Sequence, residues 1–395
     1  MSTPQVILKT RKALPFFARH PWVFNGAIAK IDPTLNDGDT VDLISAESVW
    51  IARGLYNSRS KITVRLYTWD QQEFLDRTWL RNRIQQAIAV RTQLGVRHPS
   101  RGCRLIFSEA DQLSGLVVDE YANYCCVQVT SLALAMRLEE ICDILEEILQ
   151  PKGIFVRTEQ GIRKLEGLEL NDHLHRGELP PEGFGISENG IFFEVNLAEG
   201  QKTGFYHDQR DNRLRSRQFA VGKKVLDACC YTGGFGLNCL KAGASQVDFL
   251  DTSQLALDIA ARNAQHNSLP NASFWKGDVL KILPQWVAEG RKYDLIVLDP
   301  PKFARDQATF REALKGYHKL HQAALQLLVE NGTLITCSCS GLLDMEQFLR
   351  IIQEAASQQR RHVQIIEKRG AALDHPIALS CPETEYLKCV ICRVG

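Results

Sequence analysis

Hydrophobic and polar positions change their rhythm twice along the chain. Over residues 1–75 apolar residues fall in short runs with a two-residue period: QVILK, WVFNGAIAKI, DTVDLI, VWIARGLYN and KITVRLYTW. Turn signals at Asp32-Pro33, Asn36-Asp37-Gly38 and Asn57-Ser58 separate them, and this punctuation predicts a small β-barrel. From about Asp76 to Val96 the apolar spacing lengthens, in TWLRNRIQQAIAVRTQLG, and predicts a helix. An α/β section follows, with strands in RLIFSEAD and GLVVDEYANYCCVQVTS, an acidic amphipathic helix over 134–150, a strand at 154–159, a loop at ELPPEG and a strand at GIFFEVNL. From residue 200 onward strand and helix patterns alternate regularly. Strands are expected at 224–229, 246–251, 272–278, 293–301 and 332–340, and the chain closes on two more, VQIIEKRG and EYLKCVICRV, with no helix between them. Such alternation predicts a Rossmann-like, doubly wound parallel sheet, here of seven strands with one of the last two antiparallel. Pattern alone divides the chain at 1–75, 76–190 and 191–395.

Length and composition agree with that division. A chain of 395 residues, 45% hydrophobic and 24% charged, suggests two or three globular domains. No apolar run approaches the ~20 residues that span a bilayer, and MSTPQVILKTRK lacks the apolar core of a secretory signal. The expected location is therefore cytoplasmic, with no membrane partner, and the 12 cysteines are expected as reduced thiols. Cys389 and Cys392 form a C-x-x-C, but it lies in an alternating strand pattern, as do Cys125 and Cys126, so no metal is expected.

Charge is unevenly spread. The net charge is +1, yet residues 1–104 hold 16 Lys/Arg against 8 Asp/Glu. A basic N-terminal part suggests a polyanionic partner, nucleic acid first, although a solvated basic face has the same composition. The barrel segment clusters Arg11, Lys12, Arg19, His20 and Trp22 early and Arg59, Lys61 and Arg65 late, and five more arginines, Arg77, Arg81, Arg83, Arg91 and Arg97, lie on or near the helix.

The stretch KVLDACCYTGGFG, 224–236, reads as a strand that breaks into a glycine turn before a helix. Glycines 233, 234 and 236 would let the backbone turn tightly and approach a ligand at the helix N-terminus. Ligands of such sheets bind outside the carboxyl ends of the strands. Asp227, Asp251, Asp278 and Asp299 fall at four successive strand ends. Asp251 is placed to accept both ribose hydroxyls, and Asp278 an adenine amine. Each aspartate alone reads first as a helix N-cap or a surface turn residue; together they suit a nucleoside. A dinucleotide enzyme would carry G-x-G-x-x-G at the first turn, whereas this chain has G-G-x-G and Asp299-Pro300-Pro301-Lys302-Phe303 on the fourth strand. That combination fits S-adenosylmethionine (SAM), with Tyr231, Thr232, Gly233, Gly234 and Pro300 as further cofactor candidates.

HPWVFNGAI, QKTGFYHDQRDNR at 201–213, LDACCYTGGFG, DTSQLALDIAARN, DLIVLDPPKF and TCSCSG together resemble the bacterial 23S rRNA large subunit methyltransferase I family across nearly the whole chain. The resemblance implies a PUA-type RNA-binding barrel, a central α/β domain and a catalytic methyltransferase domain that makes 5-methylcytosine in 23S ribosomal RNA, and it allows a homodimer. It implies that segment 201–213 closes over the methionine end of the cofactor, with Phe205, Gln209 and Arg210 as candidate contacts. Cytosine C5 is a weak nucleophile until a thiolate adds to C6, and Thr336-Cys337-Ser338-Cys339-Ser340 supplies the cysteine. On a strand 337 and 339 share a face and 339 lies nearer the ligand end. Cys339 is therefore the expected nucleophile, as the family motif agrees, with Asp299 holding the base and Cys337 in a packing role. Two other functions remain open: methylation of an exocyclic amine of adenine or guanine, which the D-P-P motif would also serve, and a non-catalytic RNA-binding assembly protein.

Overall fold

The structure, a computed structural model, describes residues 3–197, 203–303 and 309–395. The chain divides into two compact units. The first is Met1–Ile186 with Val195–His207 and Leu373–Thr384; the second is Ser187–Glu194 with Asp208–Ala372 and Glu385–Gly395.

In the first unit six short strands form one sheet in the spatial order Trp22–Phe24, Ile62–Thr68, Trp50–Tyr56, Thr40–Ile44, Gln5–Leu8, Ile28–Ile31. The two strands at the ends of this order are sequence neighbours joined only by the turn Asn25–Ala27. So short a link forces the sheet to curl back on itself, around a core that includes Val6, Leu8, Val23, Val41, Leu43, Val64 and Leu66. Val23 is the inward residue of its strand; Trp22 is half-buried and donates through Nε1 to Glu109 Oε1 (2.9 Å), and Phe24 is 47% exposed. Trp22 and Phe24 thus lie on the face of the strand turned away from the barrel core.

The second sheet of this unit has the order His173–Gly177, Gly153–Arg157, Tyr124–Val129, Leu116–Tyr121, Gly102–Phe107. Helices Arg77–Gln93 and Leu138–Leu149 bury apolar faces in its core, which also takes in Leu55 and Tyr67 from the barrel. Residue 75 therefore separates two sheets within one compact unit. Near 190 the chain crosses into the second unit and back before returning to it at Asp208.

The second unit is built on a seven-stranded sheet. Its strands in sequence are Lys224–Ala228, Gln246–Asp251, Ala272–Lys276, Tyr293–Leu298, Leu328–Ser338, Val363–Arg369 and Lys388–Val394. In space they run third, second, first, fourth, fifth, seventh, sixth. The seventh is the antiparallel one, inserted between fifth and sixth, and pairs from Gly332↔Val394 to Ser338↔Lys388. The strand order reverses between first and fourth, and both strands end in the residues singled out above.

Candidate cofactor and catalytic site

The turn after the first strand is strained. Cys229 (φ 62°) and Tyr231 (φ 49°) both adopt the left-handed region that non-glycine residues avoid, a conformation that persists where the surroundings over-determine it and that clusters at functional sites. Gly233 (φ 86°) also needs it. The other two glycines answer to packing. A Cβ at Gly234 would meet Arg213 Cδ at 2.7 Å, and one at Gly236 would run into the Phe249 ring of the second strand.

Asp227 ends buried beneath this turn. Its Oδ2 accepts the Gly236 N–H (2.7 Å), while Oδ1 is buried with no partner, as is Thr232 Oγ1. Burial first, then the neighbouring Asp299 and Asp251, push the carboxyl up to about 7, against the Gly236 bond. Buried orphan acceptors beside a helix N-terminus are what a polar ligand with cationic donors would complete. Asp251 holds the turn itself, with Oδ2 accepting from Tyr231 N–H and Oδ1 from Ser253 N–H (both 2.9 Å). Asp278 is exposed and caps the helix Val279–Ala288, accepting the Leu280 N–H at 2.9 Å. Asp299 is half-buried; Gln209 Nε2 donates to its Oδ1 at 3.0 Å. Pro300 beside it is buried.

Gln209 opens the helix Arg210–Ser216, whose placement the sequence did not disclose. Asn212 Nδ2 donates to Gln209 Oε1 (2.7 Å) and Gly370 O (3.0 Å), and Asn212 Oδ1 accepts from Arg369 Nε (2.8 Å). Arg213 forms a bidentate pair with Glu188 (2.7 Å), and Arg210 lies 3.4 Å from Asp211. Phe205 belongs to the first unit instead. It is buried there, its N–H donates to Tyr121 Oη (3.0 Å), and its ring lies 5.7 Å from that of His207. Gln201 and Lys202, the start of the same motif, lie outside the described residues.

At the fifth strand Cys337 is fully buried opposite Cys389, and burial, Cys389 and Asp299 push its thiol well up. The ladder stops at Ser338, so strand alternation does not extend through Cys339, which is half-buried just beyond it. Tyr317 Oη and Ser338 Oγ are hydrogen-bonded (2.9 Å), and Ser338 Oγ accepts the Ser340 N–H (3.3 Å). Ten of the cysteines are buried, leaving Cys229 and Cys339 half-buried. Burial and the surrounding aspartates push the Cys229 thiol well up.

The basic residues sort differently from their reading in sequence. Arg91 is fully buried against Asp111 (Nη2 to Oδ2, 2.8 Å), and Arg65 is buried against Glu166 (3.0 Å). Arg77 and Arg81 share Glu147, Arg83 meets Glu73 and Arg97 meets Glu120. Arg11, Lys12, Arg19 and Lys61 are exposed. One group of potential metal ligands comes together among the described residues of the first unit: His20, Cys381 and Glu383, with ligand atoms within 4.8 Å. His20 Nδ1 accepts the Trp22 N–H (3.3 Å), and its Nε2 lies 3.4 Å from Glu383. Cys389 and Cys392 are buried in the seventh strand on opposite faces. Among the described residues no helix is long and apolar enough to cross a membrane.

The strand order, the turn over Asp227 and the carboxylates at successive strand ends define a SAM-dependent methyltransferase. The family described as S-adenosylmethionine-dependent methyltransferase matches residues 172–374, and a PUA-like domain matches residues 6–69. Its cofactor is SAM. Proteins named ribosomal RNA large subunit methyltransferase I are similar along their whole length: the Escherichia coli O157:H7 protein is 39% identical over 396 residues, covering 100% of both chains, and the Klebsiella pneumoniae (strain 342) protein is 38% identical over 393 residues, covering 99% and 98%. The chain belongs to the ribosomal RNA large subunit methyltransferase I family. The fold is shared with a candidate SAM-dependent methyltransferase from Streptococcus mutans (TM-score 0.84, 21% identity, covering 98% and 99% of the chains).

Proposed function

We propose that the protein methylates C5 of a cytosine in 23S ribosomal RNA through a covalent adduct between Cys339 and C6 of the base. Support for the substrate comes from the relatives' name, and support for the chemistry from a half-buried thiol just past the fifth strand, on the carboxyl side of the sheet with Asp299. The other half-buried thiol, Cys229, is held protonated by its surroundings. Residues 1–75 would dock the RNA, through Arg11, Lys12, Arg19 and Lys61 rather than the helix arginines, with 191–395 as the catalytic part. Ribosomal RNA as substrate supports a cytoplasmic location.

SAM supplies an electrophilic methyl group on a sulfonium. Asp227, with its orphan oxygen, Thr232 and Asp251 would hold the cofactor, and Asp278 would accept a hydrogen bond from its adenine amine. The Cys339 thiolate adds to C6, and the C5=C6 electron pair moves to C5. Asp299, oriented by Gln209, holds the base by accepting from the N4 amine or by sharing a proton with N3, and a proton at N3 draws the electrons of the adduct out of the ring. After C5 takes the methyl group, loss of the C5 proton restores the double bond and expels the thiolate. The base must first leave its stack.

The test is incubation with labelled SAM and unmodified 23S rRNA, followed by digestion and identification of the product nucleoside. The reading predicts 5-methylcytosine from the native protein and none from Cys339→Ala. A methylated adenine or guanine amine that survives the substitution would overturn it.

A further inference from the structure

We propose that Lys388 is the counter-ion that holds the Cys339 sulfur as a thiolate, a positioning residue for the transfer; its catalytic meaning rests on the function proposed for Cys339.

Lys388 is the only buried lysine among the described residues, at 4% exposure. It opens the seventh strand opposite Ser338, the last residue of the fifth-strand ladder. Its Nζ donates to Ser340 O (2.6 Å) and Tyr386 O (2.7 Å), two neutral carbonyls. An ammonium taken out of water calls for an anion as well. The groups around Nζ able to carry negative charge are Cys339, Glu385 and Asp344, and Cys339 acts on it most strongly, with Lys302 opposing. Burial pulls the ammonium down, to about 8, against the upward pull of Cys339.

The grip on Ser340 O fixes the residue next to Cys339, so one side chain both aims the turn and charges its surroundings. Cys337 and Cys229 show the contrary setting: each is pressed upward by burial, then by Cys389 and Asp299 in one case and by Asp251 and Asp299 in the other. A cation beside a partly exposed thiol favours the thiolate. The thiol proton leaves to solvent through the exposed side of Cys339, and Lys388 stays an ammonium.

The experiment is the pH dependence of iodoacetamide labelling of Cys339 in the full chain, located by peptide mapping. For the native protein the rate should reach half-maximum below the ordinary thiol value of about 8.5. Lys388→Gln should move that midpoint up by about one unit, so that labelling at pH 7 slows about tenfold, and Lys388→Arg should restore most of the shift. A native midpoint at or above about 8.5 overturns the proposal even if Lys388→Gln does not fold. An unchanged midpoint in folded Lys388→Gln overturns it as well. Methylation by Cys339→Ala is scored separately: if it survives while Lys388 still sets the labelling midpoint, the ion pair stands and the nucleophile assignment falls.

Discussion

A buried carboxyl that ionises near neutrality makes ligand binding a titration. Asp227 is held up to about 7 chiefly by burial, and its orphan oxygen suits a cationic donor only when ionised. S-adenosylhomocysteine, whose amine stays charged from pH 6 to 8, should therefore bind more weakly as pH falls through about 7. Calorimetry at pH 8 and pH 6 is expected to differ about tenfold, and Asp227→Asn should flatten the dependence; a flat profile in the native protein would remove Asp227 from the site. The four aspartates were legible because each closes a strand pattern. The helix cap that Asp278 makes was among the readings, but other duties were not legible: Asp251 pins the Tyr231 turn, and Gly236 is small because Phe249 fills the space its Cβ would take. Lys388 was hidden altogether. A lysine in an alternating pattern reads as solvent-facing, and only insertion of the seventh strand between fifth and sixth buries it.

Among the elements, the helix Arg210–Ser216 matters most for the site and was least visible. It spans seven residues, too few for periodicity to declare it, and its position depends on partners far away in sequence, Gly370 and Arg369. Asn212→Ala removes three hydrogen bonds, but of the partners only Gln209 is buried, so the cost is that of one buried acceptor losing this donor, about 1–3 kcal/mol. Chemical denaturation should show a loss in that range. Because Gln209 then loses its anchor, kcat should fall while S-adenosylhomocysteine affinity changes little; equal losses in both would place the helix at the cofactor instead. The long strands of the second unit, by contrast, were readable to within a few residues, since continuous apolar runs between helical patterns leave few alternatives. The helix Arg77–Gln93 was also readable as a helix but not as a surface: its arginines look like a basic face until Glu147, Glu73 and Asp111 arrive from other elements.

At the scale of the molecule, the basic N-terminal composition survives as a smaller set of exposed charges. Neutralising Arg11, Lys12 and Arg19 should lower the salt dependence of RNA binding by about 0.7 to 0.9 in log–log slope for each phosphate no longer neutralised. Arg77→Ala with Arg81→Ala, whose charges already meet Glu147, should leave the slope unchanged. The reverse result would move the RNA path to the helix. The sequence division into three parts also met a limit here, because the chain leaves each compact unit and returns to it, which no local pattern records. The covalent step proposed for Cys339 can be trapped. Ribosomal RNA carrying 5-fluorocytosine lacks the proton whose loss would release Cys339, so the native protein with SAM should give a denaturation-resistant protein–RNA adduct that maps to Cys339. Release of a methylated product with no adduct, or an adduct that persists in Cys339→Ala, would contradict the account.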